Sequence, residues 1–252
     1  MESTGSSLEI DIVIPTAYKD IRVLPLCIRG IRECIEDSVK DIYVISCDNE
    51  EIRRICDDND CIFIDEVMLM GFSPSDMIGI REDKRGWLYQ QLIKLRGDIG
   101  VCENYLVIDS DVVLLRPYRF IDGNGVPSFI KIPYTYKEYG DVNFKLTGMK
   151  KVVKEGFIAD KMLFNKGVIN EIHQVIENHC GKGWIDAIMD EYNNNFAYGF
   201  SEFELYALVY GDRLYNEMKV YELPMHFKDE YTYEICKQKF GHFHCVTFHH
   251  YL

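Results

Sequence analysis

Between residues 10 and 109, short apolar runs alternate with segments of helical period. Ile10-Asp11-Ile12-Val13-Ile14-Pro15-Thr16 is rich in β-branched residues and stops at a proline, the pattern of a buried strand. Residues 19–36 then put Val23, Leu24, Cys27, Ile28, Ile31 and Ile35 at helical spacing, with Pro25 near the start, where proline is tolerated. Residues 41–47 and 61–65 read as further strands around a short polar helix at 50–56, and 66–83 as a long loop. A helix over 85–97 keeps Leu88, Leu92 and Leu95 on one face, and Tyr105-Leu106-Val107-Ile108-Asp109 is a fourth strand. Strands joined through helices must run mostly parallel with helices on both faces, so their strands should be continuous apolar runs, as these are. The expectation is an α/β chain with a mostly parallel central sheet flanked by helices.

The second half is less regular. Strands are expected within 129–133 and 156–165 and helices over 167–179, 184–192 and 201–210, while 219–252 mixes aromatics and histidines without a clear period. No repeat or linker divides the chain, so 10–252 is expected to be one domain behind a flexible polar lead at 1–9.

Charge narrows the partners. With 28 basic and 41 acidic residues the formal charge is −13, which opposes broad binding to nucleic acid or anionic membrane. No stretch approaches the roughly 20 apolar residues of a membrane span, and the first apolar run is too short for a signal core. Nine cysteines, an odd number without a CxxC pair, fit a reducing compartment, and a cytoplasmic protein is expected.

The sharpest local signal is Leu106-Val107-Ile108-Asp109-Ser110-Asp111-Val112-Val113-Leu114-Leu115. Two carboxylates interrupt an apolar strand, and a charged pair is too costly to leave in a dry interior, so it should lie where the strand emerges. Ligands of open α/β sheets bind at that carboxyl edge. There Asp109 and Asp111 suit a hard divalent cation, Mg²⁺ or Mn²⁺, completed by diphosphate oxygens and water; the bland alternative is a surface turn with two solvated aspartates. Pro15, Thr16 and Tyr18 end the first strand at the same edge, where backbone and ring can hold a flat base. Gln90 and Lys94 share one face of the preceding helix and offer donors to ribose, uracil or phosphate, or are simply solvated.

The segments DIVIPT, GWLYQQLIKL, VIDSDVVLL, FIADKMLFNK and FSEFELYALVY follow in an order that resembles the nucleotide-sugar-dependent glycosyltransferases of the GT-A type, over about residues 10–210. The resemblance implies a Rossmann-like GT-A domain, with a nucleotide-binding half at about 10–115 and an acceptor-side half at 116–252. It matches Asp109-Ser110-Asp111 to that family's DxD motif. It implies a UDP-sugar donor contacted by Asp109 and Ser110, a Mn²⁺ or Mg²⁺ ion, a saccharide or glycan acceptor, and a role in polysaccharide or glycan synthesis. Glu202 matches the place of the carboxylate base of inverting members; the alternative is that Ser201 caps a helix whose first turn favours Glu202 and Glu204. Asp160 is the competing carboxylate. Members often take a third metal ligand from near the C-terminus, and four histidines fall within residues 242–250, so His242, His244 and His249 are candidates; an aromatic-rich strand with satisfied histidines is the alternative. Trp184, Tyr134, Tyr136 and Tyr139 are candidates for lining the acceptor site, with core packing as the rival reading. Two other functions are weighed: a sugar-phosphate nucleotidyltransferase, which should carry a glycine- and lysine/arginine-rich loop where this chain has Pro15-Thr16-Ala17-Tyr18, and a non-catalytic nucleotide-sugar-binding module.

Overall fold

The computed structural model describes residues 8–152, 154–196 and 198–248. In chain order the first half is β1 (Glu9–Pro15), α1 (Leu24–Cys34), β2 (Ser38–Ser46), α2 (Glu50–Asp58), β3 (Ile62–Asp65), α3 (Glu66–Met70), α4 (Glu82–Lys94), β4 (Asn104–Ile108) and β5 (Val112–Leu114). The second half is β6 (Ser128–Ile130), α5 (Lys137–Thr147), β7 (Lys161–Asn165), α6 (Lys166–Cys180), α7 (Trp184–Glu191), α8 (Glu202–Tyr210), β8 (Asn216–Met218), β9 (Glu222–Met225), α9 (Tyr233–Phe240) and β10 (Cys245–Phe248).

The main sheet has the order β3-β2-β1-β4-β7. Its first four strands are parallel and β7 runs antiparallel on β4, so the expected mostly parallel sheet is present. Strands β1 and β4 pair with Val13 opposite Val107, and the order reverses about β1. That reversal opens a crevice beyond the carboxyl ends of β1 and β4, the usual ligand position in such sheets.

Alternation sorts the strand residues into two cores. Ile10, Ile12, Ile14, Leu106 and Ile108 face α1 and α2, whereas Val13, Tyr105 and Val107 face α4, α6 and α8. Each fully buried Ile or Leu is worth about 1.5–3 kcal/mol over its exposed state. A second sheet, β5-β10-β9, lies against α9, and a third joins β6 to β8.

Two contacts brace the strands that carry the crevice, one near it and one at the opposite edge of the sheet. Gly30 of α1 lies so close to β5 that an added Cβ would meet Leu114 N at 2.8 Å and Leu114 O at 2.9 Å. Buried Asp11 on β1 accepts from Val101 N at 2.7 Å and Cys102 N at 2.8 Å, tying the entry of β4 to β1.

Three segments differ from the sequence expectation. The loop at 66–83 contains α3, whose start is capped by Asp65 accepting from Met68 N at 2.7 Å and whose end is Gly71 at φ 78°. Helix α5 has no counterpart in the sequence reading, because Gly140, Asn143 and Thr147 blur the stripe of Tyr139, Val142 and Leu146. The aperiodic tail forms β8, β9, α9 and β10, short elements ordered by pairing with other parts of the chain. Among the described residues no helix is long and apolar enough to cross a membrane.

Candidate active site

Four elements deliver charged groups to one edge. Strand β4 ends at Ile108, so Asp109 emerges where burial stops, and its side chain is 31% exposed. Strand β7 is antiparallel to β4, which brings its amino end to the same edge. Asp109 N accordingly donates to Asp160 O at 2.9 Å. Asp160 holds φ at +51°, a left-handed conformation that aspartate tolerates better than most residues but that still costs free energy. Burial, and then the charges of Asp109 and Glu222, push its carboxyl up to about 7.

Helices α4 and α8 supply an ion pair from below. Lys94 Nζ lies 2.8 Å from Asp109 Oδ1 and 2.8 Å from Glu202 Oε1, and contacts Gln91 Oε1 at 3.3 Å. Burial pulls the Lys94 ammonium down, but Asp109 and then Glu202 outweigh it, so the lysine keeps its proton. Burial raises the Glu202 carboxyl and Lys94 opposes that rise. Ser201 caps α8 by accepting from Glu204 N at 3.3 Å, which sets Glu202 in the first turn. Glu204 turns elsewhere, accepting from Phe157 N at 2.9 Å and pairing with Lys151.

Beside this cluster lies a cleft of about 570 Å³ whose lining includes Thr16, Tyr18, Glu66, Trp87, Gln90 and Tyr198. Helix α4 joins the two: Gln90 faces the cleft, and one turn later Lys94 reaches Asp109. Tyr18 is 54% exposed, and Trp87 and Tyr198 stand 6.0 Å apart, so aromatic surface is open to a flat ligand. Burial, then Asp65, pushes the Glu66 carboxyl up to about 7.

The structure thus brings Asp109, Asp160, Lys94 and Glu202 together and sets Thr16, Tyr18 and Gln90 in the neighbouring cleft. Asp111 follows one residue after Ser110 and is partly exposed, and its carbonyl accepts from Phe248 N of β10 at 2.9 Å.

Other expectations need correction. Lys94 does not open into the cleft as a nucleotide donor, because its ammonium is buried between two carboxylates. Ser110 faces inward and donates to the buried Asp20 at 3.1 Å. Pro15 is buried in register with Ile45, and the Thr16 hydroxyl is turned back to Ile14 O at 3.2 Å, so only the Thr16 surface reaches the cleft.

His244 is not brought to the aspartates. Antiparallel pairing of β10 with β5 puts Cys245 opposite Leu114 and Thr247 opposite Val112, so His244 sits at the far end, where its Nδ1 accepts from Tyr221 N at 3.1 Å. His242 precedes it in the same turn, against Phe243. His249 lies outside the described residues. Among the described residues no group of three His, Cys, Asp or Glu side chains is placed to hold a metal. Sequence reasoning missed Glu66, Trp87, Tyr198 and Asp20. Trp87 stands on the same helical stretch as Gln90 and was open to inference from that spacing; Glu66 opens the short helix α3, and Asp20 and Tyr198 lie in turns outside the main helices and strands.

A family profile described as a family of unknown function (DUF6492) matches residues 7–235. The chain belongs to that family. No curated protein matches this member of the family. Among solved structures, it is similar to an active-site mutant of LgtC, with a TM-score of 0.51 and 15% identity over 95% of this chain and 87% of that one. It is also similar to apo mouse xyloside xylosyltransferase 1, with a TM-score of 0.51 and 9% identity over 95% and 97% of the two chains. The fold of this family member is therefore that of the GT-A glycosyltransferases, as the sequence resemblance implied.

Proposed function

We propose that this protein is a metal-dependent glycosyltransferase that moves a sugar from a nucleotide-diphosphate donor, uridine-linked, to a hydroxyl of a saccharide acceptor. The observation that carries the reading is the placement of Asp109 at the crevice between β1 and β4, beside an aromatic-lined cleft. The base and ribose occupy the cleft at Tyr18, Trp87 and Gln90, and the diphosphate extends toward the aspartates.

The donor set fits a hard cation. Asp109 and Asp111 are partly exposed carboxylates one residue apart at a polar sheet edge, and they would hold Mn²⁺ or Mg²⁺. His249, the remaining candidate for a third ligand, lies outside the described residues. Such an ion supplies Lewis-acid stabilisation of a leaving diphosphate.

The protein groups divide the remaining work. Lys94 holds one oxygen of Asp109 and so fixes the direction of the other. Glu202 is sealed and paired, which suits a positioning role better than contact with an acceptor hydroxyl. Asp160 is partly open and lies beside Asp109, so it takes the acceptor proton in an inverting reaction.

A panel of UDP-sugars scored for UDP release, with and without chelator, tests this reading. Metal-dependent release that is lost in a folded Asp111→Asn variant supports it. Pyrophosphate-dependent formation of a nucleotide triphosphate would instead indicate a nucleotidyltransferase. UDP binding without turnover of any donor would indicate a binding module.

A further inference from the structure

A file of aromatic rings leads out of the cleft. Trp87 and Tyr198 stand 6.0 Å apart at its wall, Phe196 follows Tyr198 at 6.4 Å, Tyr136 follows Phe196 at 5.4 Å, and Tyr134 follows Tyr136 at 6.0 Å. The outer members are open to solvent: Tyr134 is 58% exposed, Tyr136 41% and Tyr198 36%. Tyr139 supports the file from beneath, packed on Tyr136 and Phe196 and itself buried. Tyr139 lies on α5, which packs against α8, the helix whose first turn carries Glu202, so this part of the file leads back toward the carboxylate cluster. Trp184 is not part of the file; it stacks on His173 at 4.3 Å.

Exposed tyrosines of this kind are unusual in a core-packing role, because burial is what an aromatic ring gains from packing. They present flat faces to which the C–H faces of a pyranose fit, with hydroxyls at the rim for its polar edge. They also lose little conformational entropy on binding. Four successive ring-to-ring steps extend beyond a single sugar ring. The protein carries −13 formal charge, which disfavours a polyanion.

We propose that Tyr134, Tyr136, Phe196 and Tyr198 form the acceptor platform, and that the acceptor is an uncharged oligosaccharide laid along these rings with its reacting end toward Asp160. The assignment rests on the glycosyltransferase reading above. Because the platform starts at the cleft wall and ends outside it, it sets acceptor affinity and leaves donor binding unchanged.

The test is saturation-transfer NMR and calorimetry with maltohexaose, cellohexaose, xylohexaose and chitohexaose, each against its monosaccharide, on the wild type, Tyr134→Ala and Tyr134→Phe. At least one hexasaccharide is expected to bind more tightly than its monosaccharide. Its affinity falls about tenfold in Tyr134→Ala and stays near the wild-type value in Tyr134→Phe. Binding of UDP in the presence of Mn²⁺ stays the same in all three proteins. Failure of every hexasaccharide to bind, or equal binding by wild type and Tyr134→Ala, overturns the platform. A change of oligomeric state in Tyr134→Ala also overturns it, because the strip is then an interface between copies. If the wild type binds a hexasaccharide through Tyr134 but does not bind UDP with Mn²⁺, the donor reading fails and the strip stands as a carbohydrate site alone.

Discussion

The ammonium of Lys94 sits 2.8 Å from Glu202 Oε1, with the lysine side chain 2% and the glutamate side chain 3% exposed. Few positions in a protein tolerate such a pair, because each charge loses its water and must recover the cost from its partner. The pair joins α4 to α8 directly beneath Asp109.

Removing one partner should therefore cost far more than removing both. Lys94→Met leaves Glu202 buried without its cation and is expected to destabilise the fold by about 3–5 kcal/mol. Adding Glu202→Gln to that variant should return a large part of the loss. Urea denaturation of the two single variants and the double variant measures this, and a Lys94→Met midpoint equal to the wild type would refute it.

The division of labour between the carboxylates makes a kinetic prediction. Asp160→Asn should lower UDP release about 10²–10⁴-fold, the range for loss of a general base. Glu202→Gln should keep the pH profile of the wild type and lose less than Asp160→Asn. A reversed order in steady-state assays would return the base role to Glu202.

Glu66 gives a pH dependence of stability. Its carboxyl titrates at about 7 in the fold against an ordinary 4.5, so between those values the native state holds a proton that the unfolded chain has released. Stability from this group is then highest at low pH, falls as pH rises from about 4.5 to 7, and is flat above that range. Thermal melts from pH 5 to 7.5 should show a steeper decline in the wild type than in Glu66→Gln. Parallel curves for the two proteins would contradict the assignment.

Gly30 tests the support of the turn that carries Asp109 and Asp111. An added methyl meets the backbone of Leu114, which cannot swing aside as a side chain can, so Gly30→Ala should destabilise by about 1–3 kcal/mol. The same change presses on β5, so Mn²⁺-dependent UDP binding should weaken as well. A variant with the wild-type urea midpoint would show that α1 and β5 can separate freely.

The first half of this fold was readable because β1, β2 and β4 are apolar on both faces, a pattern that only a covered parallel sheet satisfies. Asp109 was readable for the same reason, as a charge at the end of such a run. The α5 helix was not, because its inward stripe is interrupted by Gly140 and Asn143 and its ordering comes from neighbours distant in sequence. The surroundings of Lys94 and His244 were not legible, for opposite reasons. Helical spacing gave the face of Lys94 but not its depth, and composition gave a histidine cluster but not the register of β10, which carries His244 away from Asp111.

The sorting of β4 into two cores, with Leu106 and Ile108 on one side and Tyr105 and Val107 on the other, bears on how relatives of this chain can diverge. Gaining or losing one residue before Asp109 would exchange the two faces and rotate the acidic turn away from the crevice. Relatives that keep the acidic turn at the crevice are thereby confined to substitutions within β4, and changes of length must accumulate in the loops beyond the sheet.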